Sequence, residues 1–171
     1  LYIGLGDGGW RNDPKANGQN MGSPLGGILR LNVDAESIIP PDNPFVGVQT
    51  DPYVKGDAKN DLLWVTGLRN PWKFSLLPDG RAIIADVGQN AFEEVSIANK
   101  GDNLGWNVWE GNDCLEKNCQ QEDANGEAFV FPVHTYPHSE GQSITGGVVL
   151  SGERRYNGQY MFGDFMSGKV W

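Results

Sequence analysis

The sequence predicts an all-β protein built from β-propeller blades, and three observations favour that fold class. Apolar runs along the 171 residues are short, β-branched or aromatic, and bounded by Gly, Asp, Asn or Pro, which is typical of strands. No segment carries a sustained helical period. A strand, a turn rich in Gly and Asp, and a second strand recur about every 80 residues, as propeller blades with insertions do.

Three pairs of apolar segments define the repeating unit. They are Leu1–Asp7 with Gly27–Val33, Arg81–Asp86 with Glu94–Ala98, and Gln159–Asp164 with Gly168–Trp171. One stretch, around Asn90 to Val95, has some helical character but is too short and too close to Gly88 to form a convincing helix. An ordinary β-sandwich whose segments are similar by accident is the alternative architecture.

Long loops connect these strands, at Trp10–Leu25, Asp34–Asn60 and Asn107–Gly126. Loops of this length in a compact domain are usually functional or mobile. Within the second loop, the prolines of Ile39–Phe45 restrict the backbone, so we expect that stretch to be ordered.

Composition and charge exclude several classes of protein. With 39% hydrophobic and 11% aromatic residues, the chain is too apolar to be disordered. The 13 Lys and Arg against 22 Asp and Glu give a net charge of −9, which argues against a nucleic-acid partner or an anionic membrane surface. No apolar run approaches the roughly 18 residues that a membrane span needs. The sequence does not predict an oligomeric state.

Both ends of the chain lie inside apolar runs, at Leu1 and at Trp171. Domains usually begin and end in exposed, polar segments. We therefore expect residues 1–171 to be one partial β-propeller domain that continues beyond both ends.

Residues 4–9 (GLGDGG) match the G-x-G-x-x-G pattern after an apolar strand. A dinucleotide site also needs a helix directly afterwards, because the helix N-terminus binds the pyrophosphate. The chain continues from Trp10 to Pro14 without a helical pattern, so that interpretation fails. A tight turn instead leaves Asp7 at a strand end, where its carboxylate either caps backbone amides or faces a site.

His134 and His138 have the spacing of a helical metal-binding pair. Prolines at positions 132 and 137 argue against a helix, and no Glu follows His134 as a protease motif requires. We expect both histidines to be structural or exposed rather than ligands.

Cys114 and Cys119 lie in a polar loop, and two thiolates alone give poor support for a zinc site. A local disulfide is the favoured alternative, although closing so short a loop stabilises by only about 2 kcal/mol. Such a bond indicates an oxidising compartment, which predicts a secreted or periplasmic protein.

Two further motifs follow or precede predicted strands. Gly88 lies in a turn with acidic neighbours, where its carbonyl and the adjacent ones are suitable ligands for a hard cation such as Ca²⁺. Arg69 and Asn70 stand directly before a proline. An arginine there either clamps a carboxylate with two hydrogen bonds or forms a salt bridge at the strand end.

Taken in order, the motifs of the chain resemble the glucose/sorbosone dehydrogenase family, the soluble quinoprotein aldose dehydrogenases that use pyrroloquinoline quinone (PQQ). The resemblance spans essentially the whole chain. It rests on Gly6–Gly9, Gly27–Leu31, Pro41–Phe45, Gly67–Trp72, Asp86–Asn90 with Glu93 and Glu94, Asn103–Trp106, Thr145–Gly147 and Gly163–Phe165.

This resemblance implies a six-bladed β-propeller, of which the chain is about half. It also implies oxidation of the C1 hydroxyl of an aldose to a lactone, with hydride passing to PQQ while Ca²⁺ polarises the quinone. The implied partners are an aldose sugar and an external electron acceptor.

The resemblance also assigns roles to individual residues. Gly88 and Gln89 match the positions whose carbonyls hold the PQQ-bound Ca²⁺. Arg69 and Asn70 match residues that contact the cofactor. Asp7 matches the carboxylate that lines the sugar pocket, where it orients the catalytic histidine and raises its basicity.

Two departures from the family pattern bear on activity. The catalytic histidine of the family precedes the strand that leads to Asp7, so it is not in this chain. Ser151 stands where the best-known members have a basic residue that anchors PQQ. Arg154, Arg155 and Lys169 are the basic residues that could replace it.

The same domain occurs in hedgehog-interacting proteins, for which no sugar oxidation is implied. The alternative function is therefore a non-catalytic, extracellular propeller that binds carbohydrate or protein. A structural propeller within a larger adhesive or matrix protein is a third possibility.

Overall fold

The computed structural model describes residues 1–48, 61–115, 117–152 and 155–171. Across these ranges the chain forms mainly strands and loops, with a three-residue 3₁₀ turn at Asn17–Gln19 and helical backbone at Asp61 and Leu62. No helix in the described ranges is long and apolar enough to cross a bilayer. The strands are β1 (Tyr2–Leu5), β2 (Gly27–Arg30), β3 (Leu63–Val65), β4 (Pro71–Leu76), β5 (Ala82–Asp86), β6 (Phe92–Ala98), β7 (Trp109–Glu110), β8 (Asp113–Cys114), β9 (His134–Pro137), β10 (Ile144–Val149) and β11 (Tyr160–Asp164).

These strands form antiparallel sheets whose order follows the chain. The sheets are β1-β2-β3, β4-β5-β6-β9, β10-β11 and the small hairpin β7-β8. The first two predicted strand pairs are present, with Leu5 opposite Gly27 and Asp86 opposite Glu94. The stretch around Asn90 to Val95 contributes to strand β6, as its short length and β-branched neighbours favour.

The third predicted pair is present as a short antiparallel contact between β11 and the Gly168–Trp171 segment. Phe162 and Trp171 exchange backbone hydrogen bonds at 3.1 and 2.9 Å, and a bridge joins Gly163 to Val170. On its other edge β11 pairs along its length with β10, a partner that the predicted repeat did not include. Two glycines, Gly146 and Gly147, interrupt the apolar pattern of β10. Gly147 is required there because a Cβ would overlap the Met161 carbonyl of the neighbouring strand.

Strand β5 lies at the centre of the described structure and is buried along its whole length. Because successive side chains of a strand point to opposite faces, Ile84 faces one apolar cluster and Ile83 faces another. The first cluster joins β5 to β2 and β3, and the second joins it to β9, β10 and β11. The central sheet is thus covered on both faces by the neighbouring sheets, as in successive propeller blades.

The Pro-rich stretch Ile39–Phe45 is held against this framework by Asn43. The Asn43 amide donates to the backbone carbonyls of Arg30 at 3.0 Å and of Asp61 at 2.9 Å. Residues 49–60 of the same loop lie outside the described residues.

Candidate functional site

The residues predicted for the site meet at the ends of three strands. Asp7 follows β1, Arg69 and Asn70 precede β4, and the Gly88–Gln89 turn joins β5 to β6. The backbone N–H of Asp7 donates to the Arg69 carbonyl at 2.8 Å. The Arg69 guanidinium donates from Nη1 to the carbonyls of Val87 at 2.9 Å and Gly88 at 2.7 Å. Residues distant in sequence therefore form one cluster.

Asp86 fixes the turn that carries Arg69 and Asn70. It ends β5, and its carboxylate is only 5% exposed. The two oxygens accept the backbone N–H groups of Arg69 at 2.9 Å and Asn70 at 2.6 Å. Burial raises the pKa of Asp86 to about 7, against the lowering effect of these two amides.

Glu110 fixes the turn that carries Gly88 and Gln89. Its Oε1 atom accepts the backbone N–H groups of Gln89 at 2.7 Å, Asn90 at 2.7 Å and Ala91 at 2.9 Å. The side chain is 2% exposed and comes from the separate β7-β8 hairpin. Glycine is required at position 88, because a Cβ there would overlap the Phe92 carbonyl. The turn is therefore wrapped closely around one carboxylate oxygen.

Trp106 joins Asp7 to Arg69. The indole Nε1 of Trp106 donates to Asp7 Oδ2 at 2.9 Å, and the Arg69 guanidinium carbon lies 5.8 Å from the centroid of its ring. The other Asp7 oxygen accepts the Gly9 N–H at 2.8 Å. Asp7 thus caps its own turn, which is one of the two alternatives left open by the sequence, and its other oxygen contacts Trp106 of the cluster.

Comparison with known proteins identifies the family. A sequence model of the family described as Glucose / Sorbosone dehydrogenase matches residues 1–171. The chain belongs to the glucose/sorbosone dehydrogenase family. It is 36% identical over 201 residues to the HIPL1 protein of Arabidopsis thaliana, an alignment that covers 100% of this chain and 27% of that protein. It is also 34% identical over 91 residues to quinoprotein glucose dehydrogenase B of Acinetobacter calcoaceticus, covering 53% of this chain and 16% of the relative.

Solved structures of this family support the fold. The PQQ-bound aldose sugar dehydrogenase of Streptomyces coelicolor superposes with a TM-score of 0.64 at 23% identity, over 99% of this chain and 40% of the other. A glucose dehydrogenase superposes with a TM-score of 0.73 at 24% identity, over 99% and 45% of the two chains. The predicted all-β propeller class is confirmed, and the chain spans less than half of each of these two neighbours.

The cluster is compatible with a cation and an anionic cofactor. Within the described ranges no three His, Cys, Asp or Glu side chains form a metal-binding group. Backbone carbonyls are suitable ligands for Ca²⁺, and Gly88 O retains a lone pair beside its bond to Arg69. Arg69 Nε is buried and has no hydrogen-bond partner within the described ranges, which leaves a donor for an anionic group.

Buried acids surround this cluster. Glu93 is fully buried and Glu94 is 9% exposed. Burial raises the pKa of Glu93 to about 7, and burial followed by repulsion from Asp86 raises the pKa of Glu94 well above its usual value. Glu93 also pairs with His138, whose Nε2 lies 2.8 Å from Glu93 Oε1. His138 is therefore paired inside the protein, and His134 is exposed at the start of β9.

The remaining predictions concern the cysteines and the basic residues near Ser151. Cys114 and Cys119 form a disulfide, as predicted. Ser151 is exposed and carries no charge. Of the basic residues that could replace it, Arg155 lies over the ring of Tyr156, Lys169 lies 3.6 Å from Glu140, and Arg154 is outside the described residues.

Sequence reasoning assigned no role to Trp106 or Glu110. Trp106 was present only as the last residue of the Asn103–Trp106 motif, and Glu110 lay in a loop without a motif. The sequence signal available for Glu110 was an acid directly after an aromatic residue, Trp109, in a polar loop, and that signal is weak.

Proposed function

We propose that the full-length protein oxidises the C1 hydroxyl of an aldose to a lactone, using PQQ and Ca²⁺ and an external electron acceptor. The observation that carries the proposal is the position of the Arg69 guanidinium. Its Nη1 atom donates to the Gly88 carbonyl, while its buried Nε–H has no hydrogen-bond partner among the described residues. That donor is suited to an anionic cofactor beside a carbonyl-bound cation.

The residues of this chain would bind and orient rather than react. When bound, PQQ with Ca²⁺ supplies an acceptor for the substrate hydride. Gly88 and Gln89 would hold the cation through their carbonyls, and Arg69 and Asn70 would contact the cofactor. Asp86 keeps the turn of Arg69 and Asn70 in place through two backbone amides.

Asp7 would support the catalytic base, a histidine expected outside residues 1–171. Each carboxylate oxygen of Asp7 accepts one hydrogen bond from the described residues, and an oxygen with one such bond retains a lone pair. A histidine that donates to one of them would be held in a single tautomer and made more basic. Trp106, 2% exposed, covers one side of this carboxylate.

The Cys114–Cys119 disulfide supports a secreted or periplasmic location, because such bonds persist in oxidising compartments. A sugar oxidised outside the cytoplasm requires an acceptor available there. We therefore expect the external acceptor to be a diffusible or membrane-associated redox carrier rather than a bound nucleotide.

A second candidate is a non-catalytic extracellular propeller of the hedgehog-interacting-protein type, which binds carbohydrate or protein. Ser151 favours it, since a neutral side chain cannot provide the ion pair that anchors anionic PQQ. The two candidate functions differ in whether the protein oxidises a sugar.

Reconstitution of the full-length protein tests the proposal. We expect reduction of a redox dye by aldoses only when PQQ and Ca²⁺ are both present. Arg69→Gln should reduce the rate about a hundredfold, because it removes a guanidinium from the reacting centre. Lys73→Gln, on the exposed side of β4, is the matched control and should retain the wild-type rate. Sugar binding without dye reduction across an aldose panel would contradict the enzyme and favour the second candidate.

A further inference from the structure

Glu110 organises the backbone of the turn that carries Gly88 and Gln89. Its Oε1 atom accepts three successive N–H groups, those of Gln89, Asn90 and Ala91, all within 2.9 Å. Successive amides directed at one point form an anion-binding concavity, and here the anion is a side chain of the protein itself. The described hydrogen bonds of the Glu110 side chain all come from this turn and from Phe92, which begins β6.

The planarity of the peptide bond sets the direction of the carbonyls. In a trans peptide, the C=O of one residue points opposite to the N–H of the next. The described chain has its cis peptide bond elsewhere, at Trp106-Asn107, so both bonds of this turn are trans. Because the N–H groups of Gln89 and Asn90 point at Glu110, the carbonyls of Gly88 and Gln89 point away from it.

Arg69 marks the side of the turn to which these carbonyls point. Its Nη1 atom reaches the Gly88 carbonyl at 2.7 Å, and its backbone carbonyl binds the N–H of Asp7. The face of the turn opposite Glu110 is therefore the face that meets the rest of the cluster.

Glu110 is itself held rigidly. It ends β7, where it pairs with Asp113 of β8, and the adjacent Trp109 packs edge-on against Phe131 with ring centroids 5.1 Å apart. A buried, fixed carboxylate binds three amides more strongly than a neutral acceptor does, because the bonds are charge-assisted.

We propose that Glu110 is a positioning residue that directs the Gly88 and Gln89 carbonyls towards the Ca²⁺ site. The inference rests on the proposed function, since it assumes that these carbonyls hold Ca²⁺. Glu110 does not touch the cation, and it acts through the backbone of the turn.

The test compares Glu110→Gln with Asp164→Asn in the full-length protein. Asp164 is also a buried carboxyl and also accepts backbone N–H groups, those of Ser143 and Ser167 at 2.7 Å, but it does not bind the amides of residues 89–91. Hydrogen exchange of residues 89–91 measures how firmly their amides are held, and calorimetric titration with Ca²⁺ in the presence of PQQ measures binding at the carbonyls. We expect Glu110→Gln to speed exchange and to weaken Ca²⁺ binding, each about tenfold. Asp164→Asn should leave both within about twofold.

Glu110→Asp provides a second variant if Glu110→Gln does not fold. It keeps the charge but shortens the side chain by one methylene, so we expect faster exchange and a smaller loss of Ca²⁺ affinity. Wild-type affinity in a variant whose exchange is faster would overturn the positioning role, as would unchanged exchange. A wild-type protein that binds no Ca²⁺ would overturn the proposed function and the positioning role together. The two failures are thus distinguishable.

Discussion

The turns that follow β5 and β11 begin alike and are held in different ways. Each strand ends in an aspartate, Asp86 or Asp164. Asp164 caps its own turn, because its Oδ1 accepts the Ser167 N–H at 2.7 Å. Asp86 instead reaches back to the amides of Arg69 and Asn70.

The turn after β5 therefore depends on a carboxylate from another part of the chain, Glu110. A turn capped by its own strand needs only local sequence to form. A turn held from outside forms only when the surrounding sheets are in place, and its carbonyls then point in a direction that those sheets determine. Because its carbonyls are directed from outside, the turn after β5 is the candidate site, whereas the turn after β11 is stabilised locally by its own aspartate.

The two aspartates also differ in charge state. Burial raises the pKa of Asp86 to about 7, and the nearby Glu93 adds repulsion. Burial opposes ionisation of Asp164 as well, but the amides of Ser167 and Ser143 and the Tyr136 hydroxyl outweigh it and lower the pKa. The pKa of the aspartate that ends the strand is therefore raised in one unit and lowered in the other, because the groups around the two carboxyls differ.

The largest expected effect comes from adding a Cβ where a backbone carbonyl lies too close to accommodate it, at Gly88 in the turn after β5 or at Gly147 in β10. Gly88→Ala and Gly147→Ala each bring a Cβ into a backbone carbonyl, of Phe92 and Met161 respectively. We expect each to destabilise the full-length protein by about 3 kcal/mol, measured by chemical unfolding. Only Gly88→Ala should also abolish Ca²⁺ binding by the folded fraction. Equal Ca²⁺ affinity in the two variants would show that Gly88 is no more closely linked to the Ca²⁺ site than a glycine of β10 is.

Asp164→Asn should have the next largest effect, about 2 kcal/mol, because a neutral amide weakens the bonds from Ser143, Ser167 and Tyr136. The lowered pKa of Asp164 sets the sign of the pH dependence. Its charged form stabilises the fold above the unfolded pKa near 3.9, and that contribution is lost as the pH falls through the lower folded pKa.

Melting temperatures between about pH 2 and pH 6 test this dependence. We expect Asp164→Asn to lose less stability on acidification than the wild type does. Asp113→Asn, at an exposed position, is the control and should follow the wild-type curve. Parallel curves for wild type and Asp164→Asn would show that this carboxylate does not stabilise its turn.

The smallest expected effect comes from the disulfide next to Glu110. Replacing Cys114 and Cys119 by serine opens a loop with a sequence separation of 5, which costs at most about 2 kcal/mol. Ca²⁺ affinity should stay at the wild-type value, because Glu110 is held by the strand pair and by the turn it binds. A lower affinity in the double-serine variant would show that the disulfide, too, positions the site turn.

The sequence was sufficient to predict the class of fold and the strands of uniform apolar character, such as β5. It was insufficient at β10, whose pairing with β11 was not predicted, because Gly146 and Gly147 have no side chains to extend the apolar pattern. The proximity of Asp7, Arg69 and Gly88 was implied by family resemblance, since no local pattern encodes contacts between three separate strand ends. Glu110 and Trp106 were missed because their roles exist only through long-range hydrogen bonds.

Titration of the full-length protein with PQQ, followed by its absorbance with and without Ca²⁺, tests the central claim most directly. The account predicts saturable binding that requires Ca²⁺, is weakened by Arg69→Gln and is unchanged in Lys73→Gln. Absence of saturable binding, or binding that is indifferent to both Ca²⁺ and Arg69, would contradict it.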